Sequence, residues 1–140
     1  MKSKKLFLSR DNEKYCVVKL YDTNKKMQRG YDRSVHKNVK DYAKVLGAHC
    51  GYVCIDTTTG KEHPETGTIF LSLENCGAGI AGHEIMHAVL WGWKHKSMKR
   101  QYPIKIKNMD EEEEILHSFT HMISQFYDWY WSITDEGKFI

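Results

Sequence analysis

The stretch Ile80–Leu90, with His83-Glu84-Ile85-Met86-His87 at its centre, constrains this chain more than any other. Ile80, Ile85, Met86, Val89 and Leu90 recur at spacings of three to five, and no proline interrupts them, which predicts a helix. On a helix, positions i and i+4 share a face. His83 and His87 can then aim both imidazoles at one point, with Glu84 beside them. Two neutral nitrogens, an open coordination position and a neighbouring carboxylate are what a hydrolytic zinc site of the peptidase type requires. Asn75 and the glycines at 77, 79 and 82 suit the start of such a helix, and Gly92 its end. Just upstream, Gly67-Thr68-Ile69-Phe70-Leu71-Ser72-Leu73 reads as a β-strand from its β-branched and apolar content.

With 140 residues, 41% of them hydrophobic and 28% charged, the chain is expected to form one domain, residues 1–140, with a real core. A net charge of +3 is too small to argue for nucleic acid by itself. The most apolar stretch carries His83, Glu84 and His87 in its middle, so no transmembrane span is expected. The basic start at Met1–Leu8 holds too few apolar residues for a secretory signal, which places the chain in the cytoplasm. Cys16, Cys50, Cys54 and Cys76 contain no close Cys-x2-Cys pair. They read as buried free thiols rather than a second metal site.

Elsewhere, Tyr15–Tyr21 reads as a strand and Asp22–Gly30 as a polar, lysine-rich turn region. Ser34–Leu46 reads as an amphipathic helix stopped by Gly47, and His49–Ile55 as a second strand. Thr57–Gly67 is expected to be a loop. Trp93–Asn108 forms a basic connection, with Pro103 keeping it from continuing as a helix. From about Asp110 to Trp131 a long helix is expected, with Leu116, Phe119, Met122, Ile123, Phe126 and Tyr130 as its apolar stripe.

Catalytic zinc sites usually hold three protein ligands and a water. His95 is out of register for a third histidine following HExxH; the relevant places hold Leu90 and Trp93. The run Glu111-Glu112-Glu113-Glu114 opens the last helix and offers a carboxylate instead. Most of that run favours the helix macrodipole and is expected to be solvated. Glu114 is the preferred ligand: Leu116, Phe119 and Ile123 follow at +2, +5 and +9, and Ser118 at +4 leaves room for close packing. Glu113 is the alternative. His117 and His121, at +3 and +7 from Glu114, can hydrogen-bond a ligand or substrate or replace the glutamate.

The order strand, glycine-rich approach, "GHEIMHAVL", connection, then "DEEEEILHSFTHMISQF" resembles the small HExxH proteins of the gluzincin type encoded by tailed phages and prophages, described as zinc metallopeptidases. The likeness covers about Gly67–Tyr127, less than half of the chain. In thermolysin-like gluzincins the ligand glutamate stands in similar register to its apolar neighbours, which supports Glu114. The resemblance implies an α+β, minimal zincin-like domain. In it a small antiparallel or mixed sheet packs on the HExxH helix and on a C-terminal glutamate-bearing helix. It also implies one zinc ion and a phage or bacterial cytoplasmic setting. The expected activity is zinc-dependent hydrolysis of peptide bonds, with His83, His87 and Glu114 as ligands and Glu84 as the base that activates water. A peptide is expected to pair with Thr68–Leu73 as an added strand. His117, His121 or Tyr127 is expected to help stabilise the oxyanion.

A second reading is a non-catalytic zinc-binding phage protein that binds and inhibits a host factor. Its surface would be the basic connection Lys94–Lys107 and the terminal aromatics Phe126, Tyr127, Trp129, Tyr130 and Trp131. Nucleic acid is a weaker expectation. Seven of the fifteen residues at 94–108 are Lys, Arg or His, but acidic residues follow directly.

Overall fold

The computed structural model describes residues 1–10, 13–35, 44–96 and 108–140. These form an α+β arrangement around a four-stranded mixed sheet. The strands are β1 (Lys2–Phe7), β2 (Tyr15–Tyr21), β3 (Ala48–Gly51) and β4 (Glu65–Ser72), in spatial order β1-β2-β4-β3. β2 and β4 run parallel, while the outer pairs are antiparallel. The helices are α1 (Asn24–Val35), α2 (Ala78–Lys96) and α3 (Met109–Ile133). A short hairpin of β5 (Thr134–Asp135) and β6 (Lys138–Phe139) follows α3.

β4 is central because it is apolar on both faces, with every residue from Thr66 to Ser72 buried. Ile69 and Leu71 point to the face covered by α2 and α3, where they join Leu6, Val18, Leu20, Ile85, Val89, Met122 and Phe126 in the main core. Phe70 points the other way and packs with Met27 and Ala48 under α1. Each such side chain stabilises the fold by about 1.5–3 kcal/mol on burial.

α1 occupies part of the stretch that composition marks as a turn region. Thr23 starts it, its Oγ1 accepting from the Lys26 N–H at 3.3 Å. Met27 is fully buried and Tyr31 packs beside it. Two apolar residues one turn apart suffice for a helix that covers only one end of a sheet, but they are too few to register as a periodic pattern. The helix expected at Ser34–Leu46 falls mostly on residues 36–43, outside the described residues; residues 44–47 are not helical. There the Val45 N–H donates to Gln28 Oε1 at 2.9 Å, which ties the approach to β3 onto α1.

α2 does not stop at Gly92. That glycine lies where Leu8 closes on the helix, and a Cβ there would meet the Leu8 Cδ1 at 2.6 Å. α3 starts where its acids suggest. Asn108 Oδ1 accepts from the Glu111 N–H at 3.0 Å, and Asp110, Glu111 and Glu112 occupy the first turn. Its apolar face is set differently from the expected stripe. Ile115, Met122 and Phe126 are buried with Phe119 against them, and Leu116 is 44% exposed.

The two edges of the sheet are treated differently. β1 carries Lys2, Lys4 and Lys5, all exposed, which discourages pairing with another chain. At its end the Gln125 side chain imitates a neighbouring strand. The Phe7 N–H donates to Gln125 Oε1 at 3.0 Å, and Gln125 Nε2 donates back to the Phe7 carbonyl at 2.8 Å. β3 forms the other edge. Among the described residues no helix is long and apolar enough to cross a membrane.

Met27→Ala removes a fully buried side chain from the small core under α1. It is expected to cost about 2–5 kcal/mol, read as a lower urea midpoint.

Candidate metal centre

The site forms where α2 lies across β3. On β3 the residues that face α2 alternate, as strand geometry requires. Gly47, just before the strand, begins this row, and His49 and Gly51 continue it. On α2, Glu84, His87 and Trp91 follow one another at helical spacing along the facing side. The two rows interlock. A Cβ at Gly47 would stand 2.8 Å from the Ile80 Cγ2 and 3.4 Å from the Glu84 Cγ. A Cβ at Gly51 would lie 2.5–2.8 Å from three atoms of the Trp91 ring. Between the glycines the His49 ring lies parallel to that of His87, centroids 6.3 Å apart.

His83 and His87 do what their spacing predicts. Both are exposed, and their Nε2 atoms approach to 3.1 Å, with ring planes at 77°. Zinc–nitrogen bonds of about 2.0–2.1 Å would place two nitrogens at that separation with an N–Zn–N angle of roughly 95–100°. The pair therefore fits a shared zinc ion in spacing and in donor chemistry.

Glu84 is only 8% exposed. Burial pushes its carboxyl above the ordinary carboxylate range, while His87 and His83 pull it back down. The charged form is thus disfavoured in the metal-free fold but stays within the electrostatic reach of both histidines.

His49 is the residue sequence reasoning missed. It sits at the margin of an expected strand, with no partner at metal-ligand spacing, so only the alternation Gly47-x-His49-x-Gly51 marks it. Its ring lies over Gly67, where a Cβ would stand 3.0 Å from Nε2. That nitrogen is buried without a hydrogen-bond partner. Desolvation, with a further contribution from His87, lowers its pKa to about 4, so the ring is neutral.

The expected acids of α3 stand elsewhere. Glu113, Glu114, His117 and His121 line a cleft of about 710 Å³ that is closed by Leu8, Arg10 and Trp93, with neither His83 nor His87 in its wall. His117 Nε2 lies 3.5 Å from Glu113 Oε2 on the exposed side of α3. The stripe of α3 turns on Ile115 rather than Leu116, and this phase swings Glu114 toward the cleft. The Tyr127 hydroxyl is buried in the neighbourhood of Cys76. None of these groups is gathered with the histidine pair. Among the described residues no set of three or more His, Cys, Asp or Glu side chains is placed to hold a metal ion.

The cysteines are free, with Cys16 and Cys76 buried and Cys50 half-buried. Cys54 is exposed, contrary to the expectation that all four are buried, because the strand ends at Gly51 and Cys54 falls in the following loop. Residues 97–107 of the basic connection lie outside the described residues. No protein-family pattern, curated protein or solved structure matches the chain.

Two expectations follow from this geometry. Because the Glu84 pKa is raised in the fold, stability is fully present below the unfolded pKa and is lost as pH rises through the folded value. Metal-free Glu84→Gln is therefore expected to melt above metal-free wild type at neutral pH, with the gap closing in acid; thermal unfolding against pH reads this. Gly51→Ala drives a methyl into the Trp91 ring and is expected to cost about 1–3 kcal/mol in chemical unfolding.

Proposed function

We propose that this protein is a zinc-dependent hydrolase of peptide bonds, on a minimal zincin-like α+β scaffold. The observation that carries this reading is the convergence of His83 and His87 Nε2 atoms at 3.1 Å, with the Glu84 carboxyl beside them. The two histidines hold the ion. Zinc held there would polarise the scissile carbonyl and acidify the attacking water. Glu84 would take the proton of the attacking water and pass it to the leaving amine. A purely structural site has no use for a buried carboxylate beside the two histidines, which favours the enzyme over a zinc-stabilised binding protein.

The substrate track differs from the one expected on sequence. Over Thr68–Phe70, β4 is hydrogen-bonded to β2 on one side and to β3 on the other, which leaves no edge there for an added strand. Among the described residues the edge left open is that of β3, next to the helix that carries the histidines. An extended peptide paired there by its main chain lies along the Glu84–His87 side of α2. Exposed Leu46 and Val53 flank the strand and offer apolar contact to substrate side chains.

The test is a pair of variants, assayed for metal content and for cleavage of a fluorogenic peptide library. Wild type is expected to hold about one zinc per chain, and His87→Ala to lose it. Glu84→Gln is expected to keep its zinc and to lose cleavage by at least about 100-fold. Full cleavage by Glu84→Gln at normal zinc content would remove the proposed base.

A further inference from the structure

Zinc in a catalytic site is held by three protein ligands, and His83 with His87 accounts for two. The acids of α3 face the cleft on the far side of the Ile115 stripe. On the opposite flank of α2 stands His49. Two imidazoles bound to one zinc have ring centroids roughly 5–6 Å apart. His83 and His87 are at 4.7 Å, and His49 and His87 at 6.3 Å. The His49 and His87 rings lie parallel, so His49 must turn before its nitrogen and that of His87 point at one ion. Its Nε2 is buried and makes no hydrogen bond. A buried polar atom left so costs about 1–3 kcal/mol, and a metal bond would satisfy it. Gly67 leaves space beneath the ring, and Gly47 and Gly51 on the same face of the strand let α2 approach it closely.

We propose that His49 is the third protein ligand, its ring turning out of the niche over Gly67 to bring a nitrogen to the ion held by His83 and His87. This rests on the zinc reading above and changes its ligand set from two histidines and a glutamate to three histidines. The strand edge assigned to the substrate is then anchored by the metal itself. Loading the ion fixes β3 against α2 and sets the distance between peptide and base.

Zinc affinity, measured by competition with a chromophoric chelator, and the number of bound imidazoles, counted by X-ray absorption, test the assignment without any activity assay. The variants are His49→Phe, which keeps a ring in the niche but cannot ligate, Glu114→Ala and His87→Ala. Thermal unfolding of each metal-free protein checks the fold, and His49→Gln substitutes if the Phe variant does not fold. Three imidazoles are expected in wild type and two in the His49 variant, with zinc binding weakened by about tenfold or more and Glu114→Ala unchanged. A folded His49 variant that binds zinc like wild type would overturn the assignment. So would two imidazoles in wild type together with loss of affinity in Glu114→Ala. If His87→Ala also binds like wild type, the metal centre itself is wrong, and that outcome is distinct because every variant then behaves alike.

Discussion

The packing of α2 on β3 determines the site. Strand and helix have different periods, so a strand row of every second residue meets a helix row only where spacing and size agree. Here the agreement comes from alternating an absent side chain with a ring. Gly47 admits Ile80 with Glu84 beside it, Gly51 admits Trp91, and His49 is the side chain left between them, opposite His87. If either glycine carried a side chain, the helix would have to lift away from the strand. Glu84 would then lose the shielding that sets its environment.

The candidate centre consequently draws on two kinds of order. The histidine pair is a property of α2 alone, since one helical turn brings His83 and His87 together wherever that helix lies. The environment of Glu84, the place of His49 and the edge open to a peptide are tertiary, and depend on β3 being the outermost strand. A chain with the same HExxH helix on a sheet of different order would keep the two nitrogens and lose the rest.

This division also explains what the sequence made legible. β2, β4, α2 and α3 are long runs with strong apolar patterning, and their places were readable to within a few residues. Local capping was equally plain in the acids after Asn108. β1 was hidden because it is an exposed, lysine-rich edge with a single buried residue, Leu6. α1 was hidden because it buries little more than Met27 and Tyr31. The rotation of α3 could not be read from its own residues. Ile115 and Leu116 are equally apolar, and only packing against the rest of the fold, where Ile115 is buried and Leu116 exposed, distinguishes them. That selection moves Glu114 from the expected site to the cleft. His49 stayed unmarked for a related reason: its meaning lies in what it faces 38 residues later in the chain.

The amide of Gln125 bonded to the Phe7 backbone has an effect on assembly. A sheet with two usable edges can add copies without limit, each newcomer offering its far edge to the next. Among the described residues this one has a single usable end, since the outer strand at the other side carries Lys2, Lys4 and Lys5 and is stoppered at Phe7. Two copies that met through β3 would each turn a closed end outward, and growth would halt at the pair. They would also bury the strand proposed for the substrate, so such a pair would compete with peptide for that edge rather than grow into a fibre.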